Sequence, residues 1–80
     1  MALAQLQKKD IAKILRAVPN LVDLPATGMW VDYDAQADVL YLSFRRPQRA
    51  SDSQMRDDGI IVHQRAGRVV GVTILAASTR

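Results

Sequence analysis

The fold of this chain is decided by residues 33–42, which read Tyr-Asp-Ala-Gln-Ala-Asp-Val-Leu-Tyr-Leu. Tyrosine, valine and leucine favour strands, whereas Asp34 and Asp38 bound a short stretch typical of a turn. The pattern predicts a strand, a tight turn and a second strand. Near the C-terminus, residues 67–78 read Gly-Arg-Val-Val-Gly-Val-Thr-Ile-Leu-Ala-Ala-Ser and predict a turn glycine followed by a long strand.

Further strands follow from an apolar period of two on either side of these stretches. We expect strands at residues 29–33, 38–44, 59–64 and 68–75, and a weaker strand at 51–56. Gly67 suits a hairpin turn, where a positive φ is easiest for glycine. Since short connections favour antiparallel pairing of successive strands, the expected sheet is a four- to five-stranded β-meander.

One amphipathic helix precedes the strands. Its apolar residues recur with helical spacing at Ile11, Ile14, Leu15 and Val18. Pro19 disfavours helical geometry at Val18, so the helix should end there. It should begin either near Leu3 or at Asp10, whose side chain can cap a helix. The predicted fold class is α+β, with this helix packed on the sheet.

Eighty residues make one small domain, residues 1–80, of which 1–28 form the helix and its connector and 29–80 the β-meander. Domains of this size often need disulfides, a metal or oligomerisation for stability. The chain has no cysteine and a single histidine, which excludes disulfides and disfavours a zinc site. Of these three sources of stability, oligomerisation remains. With no export signal or long apolar run, we expect a soluble, cytoplasmic protein.

The two faces of the predicted sheet differ. One face carries apolar rows and should be covered by the helix; it consists of Leu40, Leu42, Phe44, Ile60, Val62, Val70, Val72 and Ile74. The opposite face is mixed and holds Val39, Tyr41, Ser43, Ile61, His63, Val69, Gly71, Thr73 and Leu75. One helix cannot cover both faces. We therefore expect a homodimer through the mixed face, with interaction residues Val39, Tyr41, Ile61 and His63.

The basic loop at residues 44–50 is the best candidate for a functional surface. Arg45, Arg46 and Arg49 lie close together around Pro47 and can make bidentate contacts to carboxylate or phosphate. Three interpretations stay open, in this order: a solvated loop, docking of an acidic protein, and nucleic-acid binding. The sequence contains no helix-turn-helix pattern and few aromatic residues for base stacking.

His63 shares the predicted mixed face with Tyr41 and Ser43. A hydroxyl beside an imidazole is the arrangement of a nucleophile and its base. The sequence supplies no third orienting group, so a half-buried histidine bonded to a neighbour is the preferred interpretation and no catalytic residue is assigned.

Three aspartates, Asp32, Asp34 and Asp38, lie in or beside the first hairpin. Hard cations take several oxygen ligands from one loop. The spacing does not match a calcium-binding loop, because Gln36 stands where a further ligand is needed. Turn capping accounts for these aspartates, and we expect no metal and no cofactor.

The two deciding stretches together resemble the bacterial family called domain of unknown function 2283. Its members carry Tyr-Asp-x-x-x-Asp-x-Leu-Tyr and end with Val-Val-Gly-x-x-Ile-Leu-x-Ala-Ser, which residues 33–41 and 69–78 match here. The resemblance covers residues 29–80. Members of this family often resemble the product of one gene in a two-gene toxin–antitoxin-type pair. The resemblance therefore implies a small protein partner that is encoded nearby.

The sequence as a whole predicts a protein-interaction module that is not an enzyme, with an antitoxin-like role implied by the resemblance alone. The alternative is a nucleic-acid-binding module that uses Arg45, Arg46 and Arg49. An enzyme of unknown class is the third hypothesis.

Overall fold

The computed structural model of the chain describes residues 5–80. Its elements are helix α1 (Asp10–Val22), strands β1 (Trp30–Asp34), β2 (Val39–Ser43), β3 (Asp52–Met55), β4 (Ile60–Arg65) and β5 (Arg68–Leu75), and a C-terminal 3₁₀ turn (Ala77–Thr79). The predicted α+β class is confirmed. Each strand also begins and ends within one residue of its predicted bounds.

The five strands form one antiparallel sheet in the order β1-β2-β5-β4-β3. The predicted β-meander is wrong at one connection, because β2 pairs with β5 and not with β3. Residues 44–51 carry the chain to the far edge of the sheet. A central position buries the long, apolar β5 from both sides, whereas the polar β3 is tolerated at an edge.

The strand register sorts the side chains into two faces. One row across β2, β5 and β4 is Leu40, Ile74 and Ile60, and the next is Leu42, Val72 and Val62. These six residues define the apolar face, and they belong to the predicted apolar rows. The mixed face lies on the other side and holds Val39, Tyr41, Ser43, Ile61, His63, Gly71, Thr73 and Leu75.

Helix α1 continues past its predicted end. It runs through Pro19 to Val22, so the expected stop at Val18 is wrong. Pro19 lacks only one N–H donor, and the apolar spacing of Val18, Leu21 and Val22 extends the same stripe. At the start, Asp10 is the first helical residue, and its carboxylate accepts a hydrogen bond of 2.8 Å from the Gln7 N–H.

The helix does not cover the apolar face. Every residue of α1 after Asp10 is exposed, including Ile14 at 53% and Leu15 at 62%. The expectation that α1 packs on the sheet of its own chain is therefore wrong. Residues 24–27 of the connector contact the end of the sheet instead, and they line a cavity with Phe44 and Val70. Within residues 5–80, no helix is both long and apolar enough to cross a membrane.

Gly71 lies in the middle of β5 with its α-carbon against the loop at residues 44–51. A Cβ added to Gly71 would collide with the Gln48 amide and would lie 2.8 Å from the Leu42 carbonyl oxygen. Since the second contact is with backbone, it cannot be relieved by a side-chain rotation. This close approach therefore requires glycine at position 71.

We expect Gly71→Ala to lower the free energy of unfolding by about 1–3 kcal/mol, the usual cost of overpacking. Chemical denaturation of the purified variant measures this loss. The double variant Gln48→Ser/Gly71→Ala removes one of the two close contacts and should recover part of the lost free energy of unfolding. Equal stabilities of Gly71→Ala and the wild type would contradict the assignment.

Candidate functional site

The Asp38 carboxylate joins the two stretches that define the sequence pattern. Asp38 ends the β1–β2 turn with a positive φ of 55°. Its Oδ1 accepts hydrogen bonds from the Tyr33 hydroxyl at 2.6 Å and from the Ser78 N–H at 3.0 Å. Its Oδ2 accepts one from the Ser78 hydroxyl at 2.7 Å. The C-terminal 3₁₀ turn is thereby fixed to the first hairpin.

The neighbouring Asp34 caps its own turn, as predicted. Its Oδ1 accepts hydrogen bonds from the Gln36 N–H at 3.1 Å and the Ala37 N–H at 3.2 Å. Protein donors thus occupy oxygen atoms of both Asp34 and Asp38. Across residues 5–80, no three side chains of the metal-binding types come close enough to hold an ion.

The bond between Tyr33 and Asp38 shifts the pKa of both groups. The hydrogen bond from Tyr33, with those from Ser78, holds the pKa of the Asp38 carboxyl below its usual range, because these donors favour the ionised form. The same bond to Asp38 raises the pKa of the Tyr33 hydroxyl, because ionised Tyr33 would have no proton to donate to Asp38 and would face its negative charge.

These shifts predict how pH changes the stabilising effect of the pair. The Asp38 contribution is present above the carboxyl's ordinary pKa of about 4 and is lost as pH falls through its lowered folded-state pKa. The Tyr33 contribution is present below about pH 10 and is lost as pH rises through its raised folded-state pKa.

We therefore expect the gap in melting temperature between wild type and Tyr33→Phe to be constant near neutral pH and to shrink in acid and in strong alkali. Thermal unfolding from about pH 3 to pH 11 measures the gap. The matched variant Tyr41→Phe lies outside the Asp38 cluster and should show no such pH dependence. A Tyr33→Phe gap of the same size at all pH values would contradict the assignment.

The half-buried His63 is bonded through both ring nitrogens. Its Nδ1 lies 2.7 Å from the Ser53 hydroxyl, and its Nε2 lies 2.7 Å from the Thr73 hydroxyl. In the neutral ring one nitrogen accepts and the other donates, so both are in use. Ser43, which the nucleophile–base hypothesis placed beside His63, instead donates to the Arg45 carbonyl at 3.0 Å. The arrangement is that of a histidine bridging three strands.

A shallow groove crosses the mixed face beside His63. Its volume is about 400 Å³, and its side-chain lining includes Trp30, Asp32, Tyr41, Ser43, Gln48, His63 and Thr73. Among the predicted dimer contacts, Tyr41 is 45% exposed, Ile61 and His63 are half-buried, and Val39 is only 8% exposed. Tyr41 therefore offers the largest area for contact on this face, and Val39 offers almost none.

The loop at residues 44–51 is held to the sheet by hydrogen bonds, while its arginine side chains point to solvent. The Gln48 amide donates to the Ser43 hydroxyl at 3.0 Å, and the Ser51 N–H donates to the Gln64 carbonyl at 2.9 Å. Arg65 donates to the Arg49 carbonyl at 3.1 Å. Arg45, Arg46 and Arg49 are all exposed.

Two further arginines, Arg65 and Arg68, lie at this end of the sheet. They flank the β4–β5 turn, in which Ala66 and Gly67 both have positive φ. Because β5 lies next to β2, this turn comes beside the loop after β2. We call the resulting surface the arginine end; it consists of Arg45, Arg46, Arg49, Arg65 and Arg68.

Arg65 and Arg68 were not among the site residues predicted from the sequence. The signal was present, since both flank the predicted turn glycine. However, the expected meander order left the last turn away from the loop at residues 44–51. Only the pairing of β2 with β5 brings the two basic segments together.

A cavity of about 500 Å³ opens at the arginine end. Its apolar lining includes Leu24, Phe44, Val69 and Val70, and Arg45, Arg65 and Arg68 contribute to its walls. A β-bulge shifts the register after His63 and sets Val69 opposite Gln64. Val69, which simple alternation had assigned to the mixed face, therefore lines this cavity beside Val70.

The charges of the sheet are segregated. The ion pairs formed among residues 5–80 are Lys13–Asp10 and Arg56–Asp58, so none of the five residues of the arginine end has a carboxylate partner there. The turn aspartates Asp34, Asp38, Asp57 and Asp58 lie at the opposite end. The five arginines lie at the end of the sheet that also holds the apolar cavity and Asp52, whereas the four turn aspartates share the opposite end with Arg56 and Arg80.

Comparison with known proteins identifies a family for this chain. The model of a family described as protein of unknown function (DUF2283) matches residues 30–78. Since the match covers more than half of the chain, the chain belongs to this family. Neither a search of the curated proteins nor a search of the solved structures returns a match.

Proposed function

We propose that this member of the DUF2283 family acts by binding another protein through its arginine end, and not by catalysis. The observation that carries the proposal is the set of five arginines without carboxylate partners among residues 5–80, gathered around a cavity with an apolar lining. Guanidinium groups bind carboxylates in a bidentate manner, and an interface of this kind combines charged contacts with an apolar anchor.

The order of the loop supports this proposal. Backbone and amide hydrogen bonds fix residues 44–51 to β2 and β4 before any partner arrives. A preformed loop loses less conformational entropy on binding than a flexible one. The partner that fits is an acidic segment with at least one large apolar side chain to enter the cavity beside Phe44 and Val70.

The source of that partner follows from the family resemblance alone. An antitoxin-like role in a two-gene pair would make the partner a small protein encoded by the neighbouring gene.

Nucleic-acid binding is the second candidate, favoured by the same five arginines. Unpaired guanidinium groups bind phosphates as well as carboxylates, and the net charge of +3 adds a long-range attraction. The sheet lacks a row of exposed aromatic side chains beside these arginines, which disfavours base stacking.

Co-expression with the product of the neighbouring gene tests the proposal. We expect the two proteins to co-purify, and the triple variant Arg45→Gln/Arg46→Gln/Arg49→Gln to weaken binding by roughly 10- to 100-fold. The matched control Lys8→Gln/Lys9→Gln/Arg16→Gln removes the same charge from the helical segment and should bind as the wild type does. Isothermal titration calorimetry measures both affinities.

Equal losses in the two triple variants would show an effect of net charge alone and would contradict the arginine end as the site. A gel shift with generic duplex DNA and single-stranded RNA at low and high salt distinguishes the second candidate. Salt-sensitive nucleic-acid binding that the arginine triple variant abolishes, without binding to the neighbouring gene product, would replace the proposal with the alternative.

A further inference from the structure

The chain exposes far more surface than a folded monomer of its size. Its accessible surface is 6747 Å². The scaling of surface with mass gives about 4,800 Å² for a monomer of this size, an excess of about 1,900 Å². The radius of gyration is 14.1 Å, compared with about 11.6 Å for a compact domain of this length. A part of this surface should be covered in the working protein.

Two apolar surfaces contribute to this excess. The first is the apolar face of the sheet, none of whose six defining residues is buried. The second is the helix stripe, defined by Ile11, Ile14, Leu15, Val18 and Leu21, each of which is at least 38% exposed. Helices and sheets with one apolar surface each normally bury those surfaces against one another.

The mixed face, in contrast, is partly covered by its own chain. Gln48 lies over Gly71, and both Val39 and Thr73 are buried, at 8% and 7% exposure. The sequence placed a second copy on this mixed face. On the other side of the sheet, α1 does not cover the apolar face.

We propose that the protein is a homodimer in which the helix stripe of each chain packs on the apolar face of the other. The helix stripe and the apolar face are surfaces of the kinds that pack together when a helix covers a sheet. Each chain has both surfaces, but they do not contact each other within that chain. A two-fold axis forms this contact twice. The excess of the two chains together is about 3,800 Å², and obligate homodimers bury areas of this order.

A second copy fits better than an unrelated protein. An unrelated partner seated on the apolar face would leave the helix stripe in water, and one seated on the helix would leave the sheet uncovered. A reciprocal exchange covers both surfaces with no further component. This inference is independent of the arginine end, which lies outside the helix stripe and the six residues of the apolar face.

Substitution of Leu15 separates the dimer from the lone chain. In a lone chain Leu15 is 62% exposed, so Leu15→Gln should change little. In the proposed dimer the side chain is buried, and we expect the dissociation constant to rise by at least about tenfold. The matched control Met55→Gln replaces another apolar residue, which is 58% exposed on the edge strand β3. This variant should keep the molecular mass in solution that the wild type shows. Sedimentation equilibrium measures both.

Cysteine cross-linking identifies the contacting surfaces without depending on stability. The chain has no cysteine of its own, so single variants report one contact each. An oxidised mixture of Leu15→Cys and Val72→Cys should give a disulfide-linked dimer of the two variants. A mixture of Leu15→Cys and Tyr41→Cys, which pairs the helix with the mixed face, should not.

Three results would overturn the proposal. One is a stable wild-type monomer at high micromolar concentration. Another is a dimer that cross-links through Tyr41→Cys but not between Leu15→Cys and Val72→Cys. The third is a monomeric double variant Leu15→Cys/Val72→Cys that forms its disulfide within one chain, which would show that the helix closes on its own sheet. None of these results bears on binding by the arginine end.

Discussion

The eight residues of β5 run through the centre of the sheet and carry apolar side chains toward both faces, so each face needs a cover. The chain supplies a cover for one face only. Gln48 closes over Gly71 on the mixed face, which glycine alone allows at that distance. On the other face, Val72 and Ile74 stay half-exposed, and the one helix lies elsewhere. The need to cover this second face governs the proposed assembly.

Asp38 explains why the two deciding stretches occur together in one chain. Its carboxylate takes donors from Tyr33 in the first stretch and from Ser78 in the second. These bonds close the end of the sheet where the turn aspartates lie, and they leave the opposite end to the arginines. The sequence pattern is therefore explained by folding, and the arginine end, which takes no part in these bonds, is the surface that we propose for recognition.

Local structure could be predicted from the sequence, because the spacing of apolar residues, the residue types in turns and the size of side chains are local properties. The strand bounds and the Asp34 cap are examples. Strand order could not be predicted, since it depends on which strand gains most from a central position. For the same reason, the sequence did not predict that Arg65 belongs to the arginine end. The helix end was predicted wrongly because proline disfavours helical geometry at the preceding residue but does not forbid it.

Nuclear magnetic resonance tests directly for the proposed contact between the helix of one chain and the sheet of the other. A sample that mixes isotope-labelled and unlabelled protein, with a filter for contacts between unlike chains, isolates signals that cross the interface. For the proposed homodimer, we expect nuclear Overhauser effects from the Leu15 methyl groups of one chain to the methyl groups of Val72 and Ile74 in the other. Effects between these residues found only within one chain, or effects between chains confined to Tyr41 and its neighbours on the mixed face, would contradict it.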